Sequence, residues 1–122
     1  MGKLKNTKPT KTIFLETRKD EQGNPLEVKI SLISLANANV LTDVIRKLDK
    51  ESQELAKLEL EGGPEFETKW KKLQNDIAKV IVQYTDLDED DVLSPDYGLG
   101  FEEIGFIMGK IRTIAPSTDP KA

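Results

Sequence analysis

The stretch from residue 63 to residue 84, GPEFETKWKKLQNDIAKVIVQY, constrains the fold more than any other part of this chain. Its large apolar side chains recur every three or four positions, which places them along one stripe of an α-helix. They are Phe66, Trp70, Leu73, Ile77, Val80, Ile81 and Tyr84. Because this stripe carries the chain's only tryptophan, we expect the helix to bury it against other parts of a core, with Trp70 as a core residue.

A second long helix is predicted just before this one, over residues 34–61 with Ser34 as its N-cap. Leu41, Leu48 and Leu55 follow one another at intervals of seven, although the polar run DKESQE interrupts the apolar face. This spacing is typical either of a short coiled-coil seam or of an amphipathic helix in a small bundle. The sequence leaves both open.

The break between the two helices is the tripeptide Gly62-Gly63-Pro64. Glycine is common just past the end of a helix, and proline is favoured in the first turn of the next one. Because so short a connection returns the chain on itself, we expect an antiparallel helix pair.

The N-terminal part of the chain predicts a β-hairpin, with strands over residues 12–17 and 26–32. In the second strand apolar and polar residues alternate, which is the period of a strand with one buried face. In the first, Ile13 and Leu15 point to one side and Phe14 to the other. Gly23 and Asn24 suit the turn between the strands. The longer connection leaves the register open.

An acidic run follows the second helix of the pair. Asp86, Asp88 and Asp90 match the first ligand positions of a calcium loop, but Asp91 and Tyr97 stand where glycine and glutamate are required. We therefore predict no metal site. The acids are better explained as gathered at the start of a short helical turn over residues 89–93, capped by Thr85 or Asp86.

A last helix is predicted over residues 101–115. Phe101, Met108 and other apolar residues form one face, and Gly105 and Gly109 fall four apart on a second face. Because glycine inside an exposed helix costs up to about 1 kcal/mol, the pair marks a place where another helix backbone comes close, or else is a chance occurrence. The neighbouring helix could belong to this chain or to a partner.

The fold class is therefore α+β and mostly helical: an N-terminal β-hairpin, an antiparallel helix pair and a C-terminal helix. We expect a flexible basic arm over residues 1–11, a single domain over residues 12–115 and a disordered tail over residues 116–122.

Composition argues against several functions. The chain has no cysteine and no histidine, which removes the usual thiolate and imidazole nucleophiles, bases and metal ligands. Glu102 and Glu103, or the acids of residues 86–91, are the conceivable hydrolytic carboxylates, but nothing in the sequence places them in a cleft. We predict no enzyme, no catalytic residue and no cofactor.

Charge and hydropathy bear on partners and location. Four lysines and no acid stand in the first 12 residues, so all 22 acidic residues lie in the rest of the chain, which argues against nucleic-acid binding. No apolar run is long enough for a membrane span, and no secretory signal precedes the hairpin. We expect a cytoplasmic protein with no membrane contact.

Three segments carry a resemblance to a known family. They are KTIFLETRKDEQGNPLEVKISLISLANANVLTDVIRKL, DIAKVIVQYTDLDEDDVL and FEEIGFIMGKI. The first begins at Lys11, and the resemblance covers about residues 12–115. With the order of elements above, they resemble the small tail assembly chaperones of long-tailed phages. The resemblance implies a non-catalytic factor of the infected bacterial cytoplasm. Such a factor binds the tape-measure protein, recruits tail-tube subunits and is absent from the finished virion.

We therefore expect a protein that binds other proteins, itself, or both, through apolar helix faces. A structural subunit of a phage particle, such as a connector or decoration protein, is an alternative, and so is an acidic inhibitor that mimics nucleic acid. The candidate interface residues are Leu41, Leu48, Leu55, Gly105, Met108 and Gly109.

Overall fold

A computed structural model describes residues 9–34, 37–61 and 63–114 of the chain. The elements, in order, are β1 (Thr10–Lys19), β2 (Pro25–Ser31), α1 (Ala38–Glu61), α2 (Pro64–Tyr84), α3 (Glu89–Leu93) and α4 (Phe101–Ile114). The predicted α+β, mostly helical fold is confirmed. Most of the predicted arm and the whole of the predicted tail lie outside the described residues.

The hairpin has a defined register that the sequence left open. Ile13 pairs with Val28 and Leu15 with Leu26, and the ladder shifts between Leu15 and Lys19. β1 is longer than predicted because Thr10 already pairs with Ser31. The predicted alternation is confirmed: one face is buried, and the other is turned to solvent.

The turn of the hairpin is held by Asp20, whose carboxylate accepts hydrogen bonds from the backbone N–H groups of Gln22 and Asn24. Gly23 lies at a φ of 83°, a conformation that side chains disfavour. The turn residues predicted from the sequence therefore perform the role expected of them, with Asp20 as an addition.

The antiparallel helix pair forms as predicted, but α1 begins at Ala38 and not at Ser34. The backbone C=O of Ser34 accepts a bond from the N–H of Asn37, so Ser34 belongs to the turn before the helix. α2 begins at Pro64, directly after Gly63, whose φ of 110° lets the chain reverse.

The polar interruption of α1 is bridged by ion pairs to other helices. Glu51 accepts a hydrogen bond from the ammonium of Lys72 on α2 at 2.8 Å, and Asp49 binds the guanidinium of Arg112 on α4. These contacts raise the pKa of Lys72 and of Arg112. The run DKESQE therefore joins α1 to its neighbours where apolar packing stops.

The short helix α3 forms at the predicted residues with a different cap. Asp88 accepts a hydrogen bond from the N–H of Asp91, and the Asp91 carboxylate accepts one from the N–H of Asp88. This reciprocal capping box replaces the predicted cap at Thr85 or Asp86. Those two residues pair with β2 instead.

The core lies between the inner face of the hairpin and the helices. Val28, Ile30, Leu41, Ile81 and Ile107 have no exposed surface, and other aliphatic residues surround them. Every side chain of the predicted α2 stripe is either buried or packed partly buried against this core. Among the helices within the described ranges, none has the length and apolar character needed to cross a membrane.

Candidate functional site

The phenylalanines are the unusual feature of the surface. Phe14, Phe101 and Phe106 are 49%, 75% and 41% exposed, while Phe66 is partly buried. The buried core of the described residues therefore contains aliphatic side chains and a tyrosine but no phenylalanine. Large aromatic groups left at a surface are characteristic of binding sites, because exposing them to water is unfavourable.

The orientation of α4 explains two of these exposures. Glu103, Ile107, Met108 and Ile111 are buried, and Ile104 is partly buried. Phe106 lies on one flank of this buried face and Phe101 on the other, at the start of the helix, and both are exposed. Phe101 lies on the same stripe as the buried Met108, seven residues away, but the prediction that it is buried is wrong. It is the first residue of α4 and is 75% exposed, with only its contact to Trp70 on that side.

The predicted interface residues divide into two groups. Leu41, Leu48, Leu55 and Met108 are at most 8% exposed and lie in the chain's own core, so they are not presented to a partner. Gly105 and Gly109 lie on the exposed side of α4, where a Cβ atom at either position would meet no heavy atom within 4 Å. No helix within the described residues approaches them, so the part of the chain that the structure describes does not supply the neighbouring helix.

A groove between β1 and α4 brings two of the exposed rings together. It has a volume of about 360 Å³, and we call it the edge groove. Its lining consists of Phe14, Leu15, Glu16, Thr17, Glu102, Glu103 and Phe106. The groove runs beside the outer edge of β1, and sequence reasoning did not find it. Only the outward position of Phe14 was predicted.

The backbone of β1 offers hydrogen-bonding groups along this edge. Leu32 donates its N–H to the C=O of Pro9, so the ladder turns the backbone of Pro9 toward β2. Because the direction alternates along an antiparallel strand, Lys11, Ile13 and Leu15 also face β2, and Thr12 and Phe14 face away from it. No described residue forms a hydrogen bond with the outward backbone groups of Thr12 and Phe14.

The other edge of the hairpin is covered. Lys29 accepts a hydrogen bond from the N–H of Asp86 and donates its own N–H to the Asp86 carboxylate. Ile30 forms an isolated bridge with Thr85 next to it. The segment after α2 therefore caps β2, and β1 is the edge left open within the described ranges.

One partly buried ion pair fixes α4 beside β1. Arg18 donates from Nε and Nη2 to the two carboxylate oxygens of Glu103, at 2.6 and 2.9 Å. Glu103 also accepts from the hydroxyl of Thr17 at 2.9 Å and from the N–H of Gly100 at 3.0 Å. The hydrogen bonds with Arg18 lower the pKa of Glu103 from 4.5 to about 2, with smaller contributions from the other two donors.

Arg18 also holds the loop before α4. Its guanidinium donates to the backbone C=O groups of Tyr97 and Gly98, both at 2.7 Å. The same side chain thus joins β1, the loop and the helix. This arrangement leaves Glu103 with four hydrogen bonds from protein groups, so Glu102 and Glu103 do not form a matched pair of free carboxylates.

The two other acids of the edge groove are different. Glu16 and Glu102 are exposed, and neither forms an ion pair with another described residue. Since the charge of Glu103 is balanced by Arg18, the groove presents two carboxylates without an ion-pair partner beside two phenylalanine rings. The ammonium of Lys110 lies 5.4 Å from the centre of the Phe106 ring. Such a surface is suited to a ligand that is both apolar and positively charged.

A smaller apolar groove of about 260 Å³ lies on another side of the start of α4, against α2 and α3. Trp70 lines it and contacts Phe101, with ring centroids 5.7 Å apart. Trp70 is partly buried: it packs against the core from outside and forms part of the wall of this groove.

The acidic run after α2 is occupied by backbone contacts. Asp86 binds Lys29, and Asp88 and Asp91 cap α3. Within the described residues, the acidic side chains form no cluster of three or more that could hold a metal ion.

Comparisons with protein-family models, with curated proteins and with solved structures gave no match to this chain.

Proposed function

We propose that this chain is a non-catalytic protein-binding factor whose partner occupies the edge groove. The observation that carries the proposal is the placement of Phe14 and Phe106. Both are more than 40% exposed, and both line one groove beside an unpaired strand edge. Aromatic rings in a concave surface are the usual anchors of protein interfaces.

The proposal changes the surface expected from the sequence. Leu41, Leu48 and Leu55 of α1 are buried in the core and cannot contact a partner. A partner would instead contact the exposed side of α4 and the outer edge of β1. Gly105 and Gly109 extend this surface along α4, where a partner can come close to the helix backbone.

The finer proposal is that the chain acts as an assembly factor like the tail assembly chaperones of long-tailed phages. Its partners would then be tape-measure and tail-tube proteins in the cytoplasm of an infected bacterium. The order of hairpin, helix pair and final helix in this chain supports that resemblance.

Affinity capture from the native cells, with mass spectrometry, tests the protein-binding function. We expect tagged wild-type protein to retain a specific partner, and the double variant Phe14→Ser/Phe106→Ser to lose it. The matched control is Val40→Ser/Leu60→Ser, which changes two exposed apolar residues on α1, 53% and 90% exposed. No specific partner on the wild type, or equal capture by both double variants, would contradict the proposal.

A second measurement separates a chaperone from a structural subunit. We expect the protein in lysates of infected cells but not in purified phage particles, as judged by quantitative mass spectrometry. A stoichiometric amount in finished particles would favour a connector or decoration protein.

A further inference from the structure

We propose that the edge groove binds its partner as an added β-strand, and that the bound segment is extended and contains apolar and basic residues. This inference rests on the proposed protein-binding function and specifies its mode and the chemistry of the partner. It has two independent supports, the direction of the backbone groups of β1 and the charges of the groove.

The first support is the unpaired edge itself. Thr12 and Phe14 direct their N–H and C=O groups away from β2, and no described residue pairs with them. An extended segment laid along β1 would satisfy these groups in the way that one strand satisfies its neighbour. The segment after α2 already does this for the outer edge of β2.

The second support is what each face of an added strand would meet. On the solvent side of β1 stand Phe14 and Glu16, opposite to the buried Ile13 and Leu15. On the side of the helices stand Phe106 and Glu102. Because side chains of a strand alternate between faces, each face of the incoming strand meets one phenylalanine ring and one carboxylate.

Charge decides among the occupants. Antiparallel pairing of Thr12 with Phe14 of a second copy would place Glu16 opposite Thr10 of that copy, so Glu16 would face no cation there. A segment with lysine or arginine near its apolar residues instead neutralises the two acids of the groove. We therefore assign the edge groove to a basic and apolar segment of a different protein.

The test uses the full-length protein and four capped peptides, followed by amide exchange and chemical shifts in NMR. The probe is Thr-Val-Val-Lys-Lys-Val-Thr. Its matched controls carry glutamate in place of both lysines, serine in place of the three valines, or N-methyl groups at alternate residues.

We expect the lysine probe to bind and to slow amide exchange at Thr12 and Phe14. The amides of Ile13 and Leu15 should not respond, because they already face β2. All three controls should bind at least roughly tenfold more weakly, since each lacks the charge, the apolar contacts or the backbone donors.

Variants of the protein check the charges. Glu16→Gln/Glu102→Gln should weaken binding of the lysine probe by roughly fivefold, and the loss should disappear at high salt. The control Glu21→Gln/Glu54→Gln removes two exposed acids elsewhere and should leave binding unchanged.

Several results would overturn the inference. They are equal binding of the lysine and glutamate probes, binding without protection of Thr12 and Phe14, and no binding of the lysine probe at all. The same amides could instead be protected in the unbound protein. If that protection is lost on dilution, the edge is assigned to a second copy; if it is lost on deletion of residues 1–8, the edge is assigned to the N-terminal arm. If affinity capture still retains a partner after any of these results, protein binding stands and only the strand-addition mode fails.

Discussion

Arg18 and Glu103 join the end of β1 to the first turn of α4 through paired hydrogen bonds of 2.6 and 2.9 Å. The two residues lie 85 positions apart in the chain. The edge groove is the space between these two elements, so the ion pair holds together the strand that carries Phe14 and the helix that carries Phe106. It is a positioning contact for the groove, and its own polar atoms are engaged within the protein.

Removal of Arg18 should destabilise the fold. Arg18→Ala leaves the Glu103 carboxylate without its main partner. The Glu103 side chain is only 10% exposed, so water cannot fully replace that partner. We expect the free energy of unfolding to fall by about 2 to 4 kcal/mol, since an unpaired charge in such a place is costly. Urea denaturation followed by circular dichroism measures it. Lys19→Ala, the exposed neighbour on β1, is the control, and an equal loss in both variants would contradict the prediction.

The same carboxylate predicts how stability depends on pH. The pKa of Glu103 is lowered in the folded protein to about 2 from 4.5, so folding favours the ionised form. The contribution of Glu103 is complete above the unfolded pKa and is lost as the pH falls from about 4.5 toward 2. Its full size is up to about 3 kcal/mol.

Urea denaturation at a series of pH values checks this dependence. Asp76 also has a lowered pKa, because it binds Lys72, and contributes in the same direction. The informative quantity is therefore the difference between wild type and Glu103→Gln. We expect this difference to shrink as the pH falls below about 4.5. A difference that stays constant down to pH 2 would mean that Glu103 is not linked to folding through its charge.

The elements were predictable because their signals are local. Alternation in β2 and the stripe of α2 depend on neighbouring residues, and the structure confirms both. The contacts that create the edge groove are not local. Nothing near Arg18 indicates that it binds Glu103, and the exposure of Phe101 depends on how far the core extends along α4. Charge and hydropathy patterns carry no information about such pairings.

The start of α1 shows a related limit. Ser34 is a suitable cap by residue type, but it lies only two residues after the last contact of the hairpin, in which the N–H of Leu32 donates to the C=O of Pro9. The helix begins only at Ala38. Tertiary position, and not capping preference, determines this boundary.

Substitution of the exposed glycines of α4 should stabilise the protein, in contrast to the removal of Arg18. A methyl group at Gly105 or Gly109 meets nothing within 4 Å, so alanine should fit without strain. Because alanine favours the helix, Gly105→Ala/Gly109→Ala should raise the free energy of unfolding by roughly 1 to 2 kcal/mol. If a partner packs against the helix backbone here, the same variant should lose affinity in capture experiments while gaining stability.

Gly98 is the internal control for this glycine pair. A Cβ atom there would lie 2.3 Å from the C=O oxygen of Ser94, a contact with backbone that cannot move aside cheaply. We expect Gly98→Ala to destabilise the protein, also because the Gly98 C=O binds Arg18. Thermal unfolding of the three proteins should place the α4 double variant above wild type and Gly98→Ala below it. The reverse order would mean that the glycines of α4 are required by the fold.

Trp70 and Phe101 should differ in their effects on stability, although their rings touch. Trp70 is partly buried and packs against the core, whereas Phe101 is 75% exposed and contacts the tryptophan from outside. We expect Trp70→Ala to cost about 2 to 3 kcal/mol and Phe101→Ala less than about 1 kcal/mol. Circular dichroism is the suitable probe, because Trp70→Ala removes the chain's only tryptophan.

The double variant Trp70→Ala/Phe101→Ala then measures the contact itself. The loss of stability in the double variant should be smaller than the sum of the two single losses by about 0.5 to 1.5 kcal/mol, the contribution typical of an aromatic pair. Tyr97→Ala, which removes another exposed aromatic ring, is the control and should combine additively with Trp70→Ala. A loss for Phe101→Ala as large as that for Trp70→Ala would place Phe101 in the core, contrary to its exposure.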